Sequence, residues 1–377
     1  MNVIILGASA RAAAFSALRA GLRPWCADLF ADADLARVCP VQRVAGGKFP
    51  ASLVRALTAA PDGPVLYTGG LENHPEWIER IERSLWGNPA DVIRSVRCPF
   101  QLADALARRG LPALAVRRDP PAAGDRRQWL LKPLHSGGGL GIRRYRGQSF
   151  NSQTHYFQEY VAGWCFGALF LGLAGGRAQL LGLTALINSL PWLHAPAFHY
   201  TGNFGPIDVE TGTLQAVATL LAEQFSLRGL FGVDVVYGVD ANGVGEYRPM
   251  EVNPRYTASV EIFERAWGTP LLELHRRVFD AGPVTFAPRL SRGVVHGKAI
   301  LYARDHLIFP AKGPWLEALE QAPGSVDVEY ADIPRAGEPI ACGRPVLTVF
   351  AFGATDQQCL LALRRKAEAL DRCLWGS

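Results

Sequence analysis

The sequence predicts an α/β and α+β protein: an open parallel-sheet domain at the N-terminus, a larger central domain, and a small C-terminal α+β domain. Three observations predict it. At 377 residues the chain is too long for one compact core. Its first hundred residues alternate short apolar runs with helical stretches, the pattern of βαβ units. Polar, Pro- and Gly-rich residues 117–127 then open a new structural unit, and the pattern changes again after Leu290.

Taken in order, Val3–Leu6 is a fully apolar strand ending in Gly7-Ala8-Ser9, followed by an alanine-rich helix to Ala20 that Gly21 closes. Arg23–Ala27 is a second strand with Asp28 at its end. Val65-Leu66-Tyr67 before Gly69-Gly70 is a third, and Glu76–Leu85 has the spacing of an amphipathic helix. Cys165–Phe170 has the character of a core strand, with a turn at Gly175-Gly176. Near the C-terminus, Val294–Ala303 and Val346–Phe352 are strand-like, 332–339 is turn-rich, and Thr355–Leu370 is a long amphipathic helix.

Hydrophobic residues at 49% and charged residues at 19% exclude a disordered, collagenous or coiled-coil chain. The net charge of +5 comes without a dense Lys/Arg block, so neither nucleic acid nor a membrane surface is expected as partner. Seven widely spaced cysteines without a C-x-x-C suggest neither a disulfide framework nor a zinc site. No basic leader precedes Val3, and the longest apolar stretch, Trp164–Gly176, is shorter than the ~20 residues of a membrane helix. The expectation is a cytoplasmic protein.

The first βα turn invites a test for dinucleotide binding. The fingerprint G-x-G-x-x-G is represented by Gly7-Ala8-Ser9-Ala10-Arg11-Ala12, with serine where the pyrophosphate needs glycine. Asp28 stands about where a ribose-binding acid belongs. One glycine leaves a nicotinamide-dependent oxidoreductase as the weakest of three functional readings.

Two other stretches carry more chemistry. Trp129–Lys132 is strand-like and delivers a lysine at the mouth of His135-Ser136-Gly137-Gly138-Gly139-Leu140-Gly141. Consecutive glycine N–H groups can wrap a phosphate, and the lysine adds a charge beside it. Further on, Gly232–Tyr237 and Glu246–Arg255 flank Asn242-Gly243, a preferred two-residue hairpin turn. If that turn pairs Ala241 with Val244, Asp234 falls opposite Glu251, and Asn253 shares the sheet face of Glu251. Two opposed carboxylates destabilise a hairpin unless a cation neutralises them, and Asp, Glu and Asn oxygens suit magnesium. A solvated acidic edge is the alternative.

This combination resembles the ATP-grasp superfamily of carboxylate–amine and carboxylate–thiol ligases. The matching pieces are Leu131-Lys132-Pro133 with the glycine-rich loop, Gln158-Glu159-Tyr160-Val161-Ala162-Gly163, Asp234, and Glu251-Val252-Asn253-Pro254-Arg255. The resemblance extends to a preceding Rossmann-like domain over residues 1–95 and a biotin-carboxylase-like C-terminal domain over residues 291–377, around a central ATP-grasp domain over residues 96–290. It implies ATP with magnesium, or manganese in its place. Lys132 would touch the phosphates, and Ser136, Gly137, Gly138, Gly139 and Gly141 would form the lid over them. Gln158, Glu159, Tyr160 and Val161 would be the hinge that meets adenine. Asp234, Glu251 and Asn253 would hold the metal, and Arg255 would steady an acyl phosphate made from a carboxylate substrate before an amine takes the acyl group.

Two departures stand out. Where relatives carry a second basic residue, this chain has Cys98-Pro99-Phe100-Gln101, with Arg97 the nearest base. Where a ribose-binding acid is common after the hinge glycine, it has Trp164-Cys165-Phe166. A non-catalytic nucleotide-binding module therefore stands as the second reading. Tyr67-Thr68-Gly69-Gly70-Leu71-Glu72 and Leu85-Trp86-Gly87-Asn88 resemble the predicted carboligases, some of which accompany biosynthesis of methanopterin- or methanofuran-type carriers. That implies an amino acid such as glutamate joined to a cofactor precursor. A homodimer is the base-rate assembly.

Two weaker groups remain open. His199–Asn203 is either an acceptor contact or a loop with a packed aromatic, and Glu72-Asn73-His74 is either a ligand contact at a strand end or a helix cap by Asn73 before Pro75.

Overall fold

The computed structural model describes residues 1–122, 124–188, 190–208, 212–239, 243, 245–282, 284 and 293–376. The N-terminal strands Asn2–Gly7, Arg23–Asp28, Val41–Arg43 and Val65–Tyr67 form a parallel sheet in which the first strand lies between the second and the fourth. Both faces are covered, which is why Val3–Leu6 is apolar at every position. The helix Arg11–Arg19 lays Ala10, Ala13, Ala14 and Ala17 on one buried face, and their small size lets it sit close to the sheet.

The expected helix over Glu76–Leu85 is much shorter, running only from Pro75 to Ile78. A competing set of backbone bonds takes the rest. Val65 N–H donates to Ser84 O at 2.8 Å and Trp86 N–H to Val65 O at 2.8 Å, drawing Leu85 alongside the strand end. The Arg83 guanidinium fixes that path by donating to the carbonyls of Pro61, Leu57 and Ala60.

The rest of the chain builds an eight-stranded sheet. Its order is Gly245–Asn253, Gly229–Val239, Trp164–Leu173, Arg177–Asn188, Tyr200–Ile207, Val295–Tyr302, Pro345–Gly353 and Tyr330–Ala331. The C-terminal strands Val295–Tyr302, Pro345–Gly353 and Tyr330–Ala331 thus extend the central sheet, while Leu307–Ile308 and Pro339–Ile340 pair in a small sheet of their own. The long C-terminal helix runs from Asp356 to Trp375, and the Thr355 side chain caps it by accepting from Gln358 N–H. A separate four-stranded sheet, in the order Val116–Arg117, His155–Tyr160, Gln128–Pro133 and Arg143–Arg144, carries the glycine-rich loop. No helix among the described residues is long and apolar enough to cross a membrane.

A buried ionic network joins the three parts of the chain. Arg11 from the N-terminal unit donates to both Glu261 and Asp332, Lys298 pairs with Glu261 at 3.3 Å, and Arg19 with Ser16 engages Glu264. Burial opposes charge on Glu261, but Arg11 and then Lys298 outweigh it and hold the carboxyl far below the usual range. Removing one member of such a network costs about 3–5 kcal/mol, because its partner is left buried and unpaired.

Candidate active site

The first turn is built by packing, and its polar groups are engaged within the chain. A Cβ on Gly7 would stand 1.8 Å from Thr68 Oγ1, so glycine is required by the approach of the neighbouring strand. Both oxygens of Asp28 are spent on the chain's own backbone, accepting from Ala10 at 2.6 Å and from Phe30 and Ala31 at 2.7 Å. Arg11 is committed to the buried network. The nicotinamide reading fails here for want of free groups.

The acidic hairpin does place Asp234 opposite Glu251, but by a different route. Residues 240–242 and 244 of the expected turn lie outside the described residues. The outer ladder, from Val235↔Pro249 to Val239↔Gly245, is offset by one from the register a two-residue turn would give. A bulge at Met250 inserts the missing residue and restores the pairing at Asp234, Val233 and Gly232. The Met250 carbonyl, left out of the ladder, accepts from Gln158 Nε2 at 3.0 Å.

Around this hairpin the predicted residues converge on one cavity of about 480 Å³. Lys132, Gly138, Gly139, Gln158, Glu159, Tyr160, Val161, Asp234, Glu251, Asn253 and Arg255 all line it. Ser136 and Gly137 border a smaller adjoining hollow, and Gly141 packs against Pro133. Lys132 is buried; its ammonium donates to Gln158 Oε1 at 3.0 Å and lies 3.9 Å from Glu251. Directly across the ladder from Lys132 is Tyr156, which period-two reading from Gln158 could have found. Gln158 is therefore a side-chain bridge between lysine and hairpin. Glu159 is tied at both ends to Ala115, so the strand frees itself for a ligand only near Tyr160 and Val161.

The electrostatics around the two hairpin carboxylates differ sharply. Burial works against the Glu251 charge, but Arg97 and then Lys132 hold it below the usual range, and Arg97 bonds it directly. Among the described residues the Asn253 amide, at 3.2 Å, is the one hydrogen-bond donor to Asp234, and its carboxyl is pushed up to about 6 by burial and then by the Glu251 charge. A carboxylate whose charge Arg255 and Lys132 offset only in part, beside a second carboxylate and an amide oxygen, is a donor set that fits a hard divalent cation. Among the described residues there is no group of three or more His, Cys, Asp and Glu that would make a different metal centre.

Arg97, singled out by the sequence only as the nearest base, is an integral part of the site. It also donates to Asn73 Oδ1 and to Ser136 O, both at 2.6 Å, linking the N-terminal unit to the glycine-rich loop. Asn73 consequently does not cap the Pro75 helix; its side chain faces Arg97. Glu72 is buried and accepts from Arg255 Nε at 2.7 Å and from Gly70 N–H at 2.5 Å. The Tyr67 and Asn88 side chains converge on the same corner: Tyr67 Oη and Asn88 Nδ2 both donate to Pro254 O, at 3.3 and 3.2 Å, next to Arg255. The loop Ala195–His199 is followed by a strand, and Tyr200 N–H donates to Gly138 O at 3.0 Å, docking the glycine-rich loop. Where a ribose acid was missing, Cys165 and Asn188 line the wall.

A cavity closed by a separate small sheet, with a buried lysine on one wall and an Asp/Glu/Asn hairpin on the other, defines a nucleotide-binding fold of two clasping sheets. Residues 100–259 match the ATP-grasp domain family, and the fold of the whole chain is similar to that of biotin-carboxylase-like proteins. No curated protein matches it in sequence. Among solved structures it is similar to biotin carboxylase from Campylobacter jejuni, with 14% identity, 95% of this chain and 89% of that one covered, and a TM-score of 0.68. It is similar to the L-amino acid ligase from Bacillus licheniformis at 16% identity, covering 98% and 97%, with a TM-score of 0.68. N5-carboxyaminoimidazole ribonucleotide synthetase from Thermotoga maritima aligns at 14% identity over 98% of each chain, also at 0.68. At these identities the likeness is one of fold.

Proposed function

We propose that this chain is an ATP-dependent carboxylate–amine ligase that activates its carboxylate substrate as an acyl phosphate. The observation that carries the reading is the convergence, on one cavity, of buried Lys132, the Asp234–Glu251–Asn253 hairpin and Arg255. Tyr160 and Val161 border adenine, with Asn188 and Cys165 taking the ribose side. Lys132 and Arg97 supply positive charge against the phosphates. Asp234, Glu251 and Asn253 hold magnesium, or manganese, which when bound neutralises phosphate charge during transfer. Arg255 sits beyond them, facing the carboxylate whose charge it offsets. The loop Ser136–Gly141 closes over the phosphates and excludes water that would hydrolyse the activated acyl group.

The finer reading is an amino acid such as glutamate joined to a methanopterin- or methanofuran-type precursor by a cytoplasmic homodimer acting on small molecules. It is supported by the resemblance at residues 67–72 and 85–88, two of which, Tyr67 and Asn88, hold the Pro254 corner.

Calorimetric titration with ATP, with and without magnesium, tests the reading. Binding should strengthen with magnesium, and that gain should vanish in Asp234→Asn. ATP binding indifferent to magnesium in the wild type would remove the metal assignment. Wild-type binding with no ADP release across a panel of amino acids and pterin or furan precursors would favour the non-catalytic module.

A further inference from the structure

The charge of this protein is distributed very unevenly. Residues 111–160, the segment of the small four-stranded sheet, carry eight basic against three acidic side chains, an excess of five. That equals the net charge of the whole chain; the remainder balances at thirty-one of each sign. Lys132 is buried in the cavity, so the surface excess is entirely arginine, and Arg118, Arg126, Arg127, Arg143, Arg144 and Arg146 are exposed.

Their placement is contiguous. Arg127 and Arg117 both lie against the Trp129 ring, at 4.9 and 5.7 Å. Tyr145 N–H donates to Trp129 O, which brings the Arg143–Arg146 run alongside, and Arg144 bonds Gln128 Oε1 at 2.6 Å. Leu131 pairs with Arg143 and Leu130 with Arg144, so the band wraps both faces of this edge strand. Asp125 pairs with Arg127 and Arg117. Among the described residues no carboxylate pairs with any of the other five exposed arginines.

We propose that this arginine band is the docking surface for an acidic protein segment. Guanidinium forks without a carboxylate partner, set side by side on a sheet, match carboxylates in two-point bonds, and a neutral remainder of the molecule leaves this sheet as the place where such a partner is steered. A single-stranded nucleic acid would need exposed aromatic faces to stack its bases. Here Trp129 is buried, Arg144 covers Tyr160 at 3.9 Å, and Arg118 covers Phe100 at 4.2 Å. The surface lies on the sheet that also carries Lys132 and the glycine-rich loop, so a partner seated there touches the closing element of the site.

The test uses poly-L-glutamate as the acidic probe and a single-stranded oligonucleotide of equal charge as its rival, each titrated against the full chain at low and moderate salt. The variant combines Arg126→Glu, Arg143→Glu and Arg146→Glu, all exposed. Poly-L-glutamate should bind the wild type, weaken with salt, and lose at least about tenfold in affinity in the triple variant. The melting temperature of the triple variant should stay within a few degrees of the wild type's. Absence of poly-L-glutamate binding, or binding unchanged in the folded triple variant, overturns the proposal. Tighter binding of the oligonucleotide overturns the class of partner. None of these outcomes depends on turnover, so the ligase reading stands or falls separately.

Discussion

Glu72, which is buried, and Arg255, 183 residues away, form an ion pair at 2.7 Å in which the carboxylate also accepts from Gly70 N–H. The guanidinium lining the cavity is therefore aimed from the N-terminal sheet. Glu72→Gln leaves a neutral amide against Gly70 and frees Arg255 to turn. Turnover should fall by about 10–100-fold, the range for losing a group that orients a functional side chain, with ATP affinity nearly unchanged. Steady-state ADP release beside calorimetric ATP binding separates the two, and an equal loss in both would make Glu72 a structural residue only.

Glu251→Gln removes the charge that Arg97 and Lys132 compensate, and one ionised oxygen donor with it. Turnover should drop by at least about a hundredfold with the fold retained, as judged by circular dichroism. Full ATP-dependent activity in this variant would show that the hairpin holds no metal.

Gly139 has a left-handed backbone, φ +80°, and a Cβ there would stand 1.8 Å from Phe198 O. Gly139→Ala should therefore keep the glycine-rich loop from docking on Tyr200. The expected result is a turnover loss of at least about tenfold with a melting temperature within about 3 °C of wild type, since the loop adds little to the core. A large fall in melting temperature would contradict this.

His275 is buried, with Nδ1 accepting from Leu230 N–H at 2.9 Å and Nε2 facing Trp86 O at 3.0 Å. Burial pushes its pKa down to about 4. The unfolded chain, with histidine near 6.5, binds the extra proton more readily. The stability this group contributes is thus present above about pH 6.5 and is lost as pH falls toward 4, a loss of order 3 kcal/mol. Urea midpoints measured between pH 7 and pH 4 should show that decline, and His275→Gln should flatten it. A variant with the same acid slope would assign the decline to other groups.

Asp28→Ala should cost about 2–3 kcal/mol, because three backbone N–H groups lose their acceptor, while ATP affinity stays as it was. Denaturant unfolding and nucleotide titration check the two halves. A loss of ATP affinity without destabilisation would return Asp28 to a ligand role.

The site residues close together in sequence were legible because local rules govern them. Lys132 before its glycine loop and the Glu251–Asn253 alternation follow from strand periodicity, and the family resemblance carried them into one cavity. The strand Val3–Leu6 and the capped C-terminal helix were legible for the same reason. The helix beyond Ile78 was misread because its amphipathic spacing competes with backbone pairing to Val65, a contact the local pattern does not contain.

By itself, then, the sequence determined the class of fold and pointed to several of the groups that line the cavity. Tertiary structure alone decided which of them work together. It placed Arg97 on Glu251, aimed Arg255 with Glu72, spent Asp28 on its own backbone, and corrected the hairpin register through a bulge at Met250. The physical reason is that charge pairing and burial depend on distance in space. A side chain 154 or 183 residues away leaves no periodic trace in the sequence it acts upon.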